Sequence, residues 1–151
     1  MRFSSIISAL VLFGLSVSSQ AADFIEVSKS TTINASIDAV WKKVGDFCAI
    51  QDWHPTIEKC QAYDDHGTLY RTLTLGDGNT ISEKHAGEEG TSYTYYIKKS
   101  PLPVKAYKAT FKAEANGDQT TITWNARFRA KGKPDEEAKA VISPVTCKPT
   151  F

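Results

Sequence analysis

The 151-residue chain is 41% apolar, 23% charged and 11% aromatic, ordinary content for one globular domain and too short for two. Eighteen basic and seventeen acidic residues leave a net charge of +1, and no block of basic residues is present to grip nucleic acid phosphates. Low-complexity disorder, collagen and coiled coil are excluded by the same composition.

Arg2 is the only charge in the first 21 residues, Ile6 to Val17 is almost wholly apolar, and small residues stand at Ser19 and Ala21. A charged start, a short apolar run and a small-x-small end read as a secretory signal peptide over 1–21, cleaved after Ala21. About twelve apolar residues fall well short of the roughly twenty needed to span a bilayer. The processed chain is therefore expected to be periplasmic or secreted, without stable membrane insertion. Export bears on Cys48 and Cys60, which stand twelve positions apart around Asp52-Trp53-His54-Pro55. An oxidising compartment favours a disulfide between them over two buried thiols, and leaves Cys147 over. No CxxC or HxxxH spacing occurs, so no metal is expected.

Phe24 to Ile33 reads as a first strand. Asn34 and Ser36 then precede Ile37, Val40, Trp41 and Val44 at helical spacing, ended by Gly45. Phe47 to Trp53 reads as a second short helix, stopped at Pro55. Strands follow at 57–63, 67–75, 79–87, 91–98, 104–114 and 120–130, separated by turns rich in Gly, Asp, Asn and Pro. Their two-residue period sets Tyr93, Tyr95 and Ile97, then Tyr107 to Ala113, then Ile122 to Phe128, on one dry face. Pro134 with Asp135, Glu136 and Glu137 opens a last helix that runs to about Ile142, before Ser143-Pro144.

This order resembles the helix-grip superfamily of START, Bet v 1-like and polyketide cyclase/dehydrase proteins (SRPBCC). The residues that carry the likeness are Ala39-Val40-Trp41, Gly45-Asp46-Phe47, Trp53-His54-Pro55, Gly67 to Arg71, Ile81 to Lys84, Pro101 to Val104 and Thr123-Trp124, within 24–142. The resemblance implies an α+β domain over 22–142, with a seven-stranded antiparallel sheet curled around a C-terminal helix. It also implies an apolar cavity for lipids, hormones or polyketides, with catalysis in some branches. The family's last helix is usually about twenty residues, roughly 30 Å at helical rise. Here helical text stops near Ile142, so residues 143–151 form an atypical tail, either a shortened end or a truncation or frameshift. A lipocalin-type barrel is the rival fold, disfavoured by two helices ahead of the strands.

Polar candidates lie on the hairpin 67–87. Leu69, Leu73 and Leu75 share a face with Arg71, and Ile81 shares a face with Glu83 and His85. A two-residue turn would pair 75 with 80 and put these two sets on opposite faces of the sheet. A three-residue loop, Gly76-Asp77-Gly78 with Gly78 left-handed, pairs 75 with 79 and puts Arg71 directly across from Glu83. Burying both apolar markers selects the longer loop. The expected result is an inward Arg–Glu pair, which either anchors a ligand or moves a proton at Glu83 while Arg71 steadies an anion. Plant lachrymatory-factor-synthase-like members look similar in carrying an Arg and a Glu on these strands. The plain alternative is a salt bridge near the sheet edge.

His54 is a weaker catalytic candidate, with Asp52 near enough to orient its ring; the other reading is a loop histidine held by backbone hydrogen bonds. His85 either lines the cavity or stands partly exposed on its strand. Tyr93, Tyr95, Tyr107, Phe111, Trp124 and Phe128 are candidates for both core and ligand contact. No nucleophile motif, nucleotide loop or cofactor site is readable. The expected function is binding, with transport as its extension, of a small hydrophobic molecule or lipid. The alternative is a cofactor-independent cyclase, dehydratase or isomerase, and a ligand-free accessory role is the third class. Nothing in the pattern sets an oligomeric state.

Overall fold

The computed structural model describes residues 23–142. The expected signal peptide and the tail from Ser143 lie outside the described residues. In chain order the elements are β1 (Ile25–Ile33), α1 (Ile37–Val44), α2 (Ile50–Trp53), β2 (Ile57–Asp65), β3 (Thr68–Leu75), β4 (Thr80–Glu88), β5 (Ser92–Lys99), β6 (Val104–Asn116), β7 (Gln119–Ala130) and α3 (Asp135–Ile142). The strands form one antiparallel sheet in the order β1-β7-β6-β5-β4-β3-β2. This is the α+β helix-grip arrangement; β1 and β2 stand at the sheet's two ends, which sets it apart from a closed lipocalin barrel.

The period of two explains the core. Tyr93, Tyr95, Tyr107, Ala109, Phe111, Ala113, Ile122, Trp124, Ala126 and Phe128 are all buried on one face. Each large side chain among them contributes about 1.5–3 kcal/mol by leaving water. Helix α1 starts where the Ser36 hydroxyl accepts the Ala39 N–H at 3.5 Å. It buries Val40 and Val44, one turn apart, and packs on β6 and β7. Gly45 is required at its end, because a Cβ there would stand 2.6 Å from the Trp41 ring. The Thr120 hydroxyl donates to the Ala35 carbonyl at 2.8 Å and ties β7 to the entry of this helix. Helix α3 is only eight residues and buries Ala138 and Ile142 against β1 and β7.

The second helix is shorter than its spacing predicts. Helical structure covers Ile50–Trp53, while residues 46–49 form turns in which the Asp46 carboxylate accepts the Cys48 N–H at 2.8 Å. That local hydrogen bond competes with a helix start at Phe47. Cys48 and Cys60 are joined by a disulfide, with Cα atoms 5.4 Å apart. The bridge fastens the turn before α2 to β2, and the Gln51 side-chain oxygen accepts the Cys60 N–H at 2.9 Å beside it. Replacing both cysteines by serine is expected to cost about 3 kcal/mol through the freed loop. The measurement is the urea midpoint of the double variant against the oxidised protein; coincident midpoints would refute it.

Candidate functional site

The β3–β4 turn decides what faces inward. The Leu75 N–H donates to the Asn79 carbonyl at 2.9 Å, and Gly78 sits at φ +81°, a conformation that favours glycine. The three-residue loop places Leu73 opposite Ile81 and Arg71 opposite Glu83. Arg71 is 0% exposed and Glu83 4%. The Arg71 Nε donates to Glu83 Oε2 at 2.6 Å, and Nη1 donates to the Phe47 carbonyl. The Phe47 ring covers the guanidinium at 3.9 Å, with Tyr95 at 5.0 Å. Nη2 is buried with no hydrogen-bond partner among the described residues. Burial pushes the Glu83 carboxyl above its ordinary value, with Arg71 pulling it back. Burial also opposes the guanidinium charge, but Glu83 holds Arg71 cationic.

Next to this pair lies a cavity of about 170 Å³. Its wall is aliphatic and aromatic, and Glu83 is its only carboxylate among the described residues. Tyr93, Tyr95, Tyr107, Phe111, Trp124 and His54 line it, as does Trp53, which stacks on Phe111 with ring centroids 5.1 Å apart. The Trp124 Nε1–H donates to the Tyr95 hydroxyl at 3.0 Å, and the Tyr95 and Tyr107 ring centroids lie 6.3 Å apart. Burial raises both phenols above their ordinary range, so they stay protonated.

Three expected contacts lie elsewhere. Arg71 is not part of the wall: it stands wholly within the protein, enclosed by Glu83 and Phe47. His85 is half-buried outside the wall, with Phe47 packed edge-on against it at 5.0 Å. Phe128 is fully buried and stacks on Tyr107 at 5.9 Å, one layer away from the cavity. Phe47 accounts for the placement of the first two, and His85 takes the partly exposed strand position that is its other reading. The turn after α1 drives its ring into the interior, and only the Gly45-Asp46-Phe47 motif hinted at that role. Ile50, Leu102, Val141 and Ile142 also line the cavity without having been singled out. The i, i+3 spacing of Ile50 and Trp53 on α2 was the available signal.

His54 lines the cavity, held by Thr56 rather than by Asp52, which is exposed. Its Nδ1 accepts the Thr56 N–H at 3.3 Å and lies 3.1 Å from the Thr56 hydroxyl. That hydrogen bonding assigns the proton of the neutral ring to Nε2. Burial, with the Arg71 charge as the lesser cause, lowers its pKa from 6.5 to about 4. Nearby, the Trp53 Nε1–H is buried and has no acceptor among the described residues.

Residues 25–146 match the family described as polyketide cyclase / dehydrase and lipid transport. The chain belongs to that family. Among curated proteins none matches the sequence. An uncharacterized protein from Bacillus thuringiensis superposes with a TM-score of 0.70 at 29% identity, over 78% of this chain and 88% of that one. A START superfamily protein from Mycobacterium smegmatis gives 0.65 at 18% identity, over 77% and 85%. An aromatase/cyclase from a Streptomyces species gives 0.62 at 18% identity, over 84% and 78%. The last two show that the helix-grip fold is shared.

In this family member the depressed His54 pKa carries a pH signature. Between pH 6.5 and about 4 the unfolded chain takes up the proton before the folded one does. The stability His54 contributes is therefore complete above 6.5 and drains away as pH falls toward 4. Urea unfolding of the wild type and of His54→Asn, whose side-chain oxygen keeps the acceptor toward Thr56, is expected to show a steeper acid loss for the wild type. Parallel pH profiles would refute this.

Proposed function

We propose that this protein binds a compact, largely apolar molecule in the internal cavity, with Glu83 as the polar anchor and Arg71 as the residue that positions Glu83. The observation that carries this is the wall itself: aromatic and aliphatic side chains around a single carboxylate. At about 170 Å³ the space is close to cavities that accept one benzene-sized ring and smaller than typical drug-sized pockets. A ring bearing one hydroxyl or amine directed at Glu83 fits both the volume and the charge. The family description, which includes lipid transport, supports a carrier or binding role. The disulfide and the leader-like first 21 residues support export to an oxidising compartment, with the binding domain beginning at residue 22.

A second reading is favoured by one feature, the burial-raised carboxyl of Glu83 at the cavity wall. Such a group suits a proton donor or acceptor in a cofactor-independent cyclase, dehydratase or isomerase. The related fold of an aromatase/cyclase is compatible with it. Arg71, however, lies outside the wall. It would act through Glu83 rather than on a substrate anion, and this weighs toward binding.

Native mass spectrometry of protein purified from its own cells is expected to show a co-purifying small molecule. Glu83→Gln, which weakens a charge-assisted hydrogen bond, is expected to lower retention about 10- to 100-fold. Ile97→Trp, which fills the cavity from a half-buried wall position, is expected to expel the ligand while leaving the Arg71–Glu83 pair in place. Full retention in both variants would overturn the proposal. Retained binding with lost turnover in Glu83→Gln would move the assignment to the enzyme.

A further inference from the structure

The sheet face turned away from the cavity carries a row that ligand binding does not use. At one register level Tyr63 pairs with Tyr70, Tyr70 with Lys84, Lys84 with Tyr96, Tyr96 with Lys108, and Lys108 with Arg127. Glu26 of β1 closes it beside Arg127. With neighbouring strands about 4.8 Å apart, the row crosses roughly 30 Å of surface. Its phenols are unusually open: Tyr63 is 46% exposed and Tyr96 39%. Tyr63 stacks on Tyr70 at 5.5 Å, the Lys108 ammonium lies 5.9 Å from the Tyr96 ring, and the Arg127 guanidinium lies 3.7 Å above the Phe24 ring. Aromatic rings thus hold the cations on the surface.

The charges are set against one another. Lys108 faces Arg127 and Lys105 faces Arg129, directly opposite across β6 and β7. Like charges in that position repel, and among the described residues no ion pair engages any of the four. An anionic partner would relieve this repulsion. The cations spread over three strands of an open sheet face, and this suits a two-dimensional array of headgroups better than a single polymer strand, which is gripped along a groove. Tyrosines among lysines and arginines are the side chains that settle at headgroup depth.

We propose that this outer face docks the protein on an anionic lipid bilayer, with Lys108, Arg127 and their neighbours on headgroup phosphates and Tyr63 and Tyr96 at the interface. The surface lies on the opposite side of the sheet from the cavity, so its failure would leave the ligand-binding proposal untouched.

Cosedimentation of the cell-processed chain with vesicles tests it. Binding is expected to vesicles of phosphatidylcholine mixed with phosphatidylglycerol, not to phosphatidylcholine alone, and to be released by raised salt. Each cation near such a surface is worth about fivefold, so Lys108→Gln combined with Arg127→Gln is expected to weaken partitioning about 30-fold. The melting temperature should change little, since the relieved repulsion offsets the lost contacts with Phe24 and Tyr96. Lys29→Gln with Lys42→Gln, which removes two charges outside the row, is expected to change nothing. No binding to the anionic vesicles, equal binding to both kinds, an equal loss from the control pair, or stronger binding to a single-stranded oligonucleotide than to vesicles would each overturn the proposal.

Discussion

A guanidinium with no access to water must find its counter-charge and hydrogen-bond acceptors inside the protein, and meeting that demand at Arg71 organises the cavity end of this fold. The carboxylate comes from Glu83 one strand away, the carbonyl from Phe47 in the turn after α1, and a π face from the Phe47 ring. These partners lie on two separate parts of the chain, β4 and the turn after α1, so the hairpin and the α1–α2 connection must close together. The pair is weak evidence for stability, because removing two charges from water costs about as much as their attraction returns. Its consequence is positional. Glu83 is held against the cavity by a partner that does not itself reach it.

The cavity follows from the same arrangement. The sheet presents its tyrosines and Trp124 inward, α2 brings Trp53 and His54, and the last residues of α3 bring Val141 and Ile142. His54 is neutral near pH 7 and the Arg71–Glu83 pair carries no net charge. The interior is thus electrically balanced, with polar atoms at Glu83, His54 and the Tyr95 and Tyr107 hydroxyls. Such an environment accepts an apolar body carrying one or two polar groups and strengthens any hydrogen bond made there. The β alternation separates this chemistry from the outer face, where the intervening residues of the same strands carry lysine, arginine and tyrosine.

Most of the architecture was legible in the amino-acid sequence. Strand alternation is a property of successive residues, so the inward set from Tyr93 to Phe128 could be named from the pattern alone. The register of β3 against β4 was legible too, because a one-residue slip would have turned either Leu73 or Ile81 to water. Cys48 and Cys60 stood at a separation that, with the expected export, made a bridge reasonable. The second helix was overextended because the Asp46 side chain takes up a backbone N–H that helical spacing would have assigned differently.

What the residues alone determined is everything governed by short-range rules: period, turn closure, capping, and which strand faces share a side. Tertiary packing decided depth. That Arg71 is enclosed while Glu83 reaches the wall, that Phe47 packs against His85, and that Phe128 lies beneath Tyr107 all depend on how separate layers meet. Parity along a strand says that a side chain points inward. Only the volume occupied by residues arriving from elsewhere in the chain determines whether it ends at a cavity or in solid core.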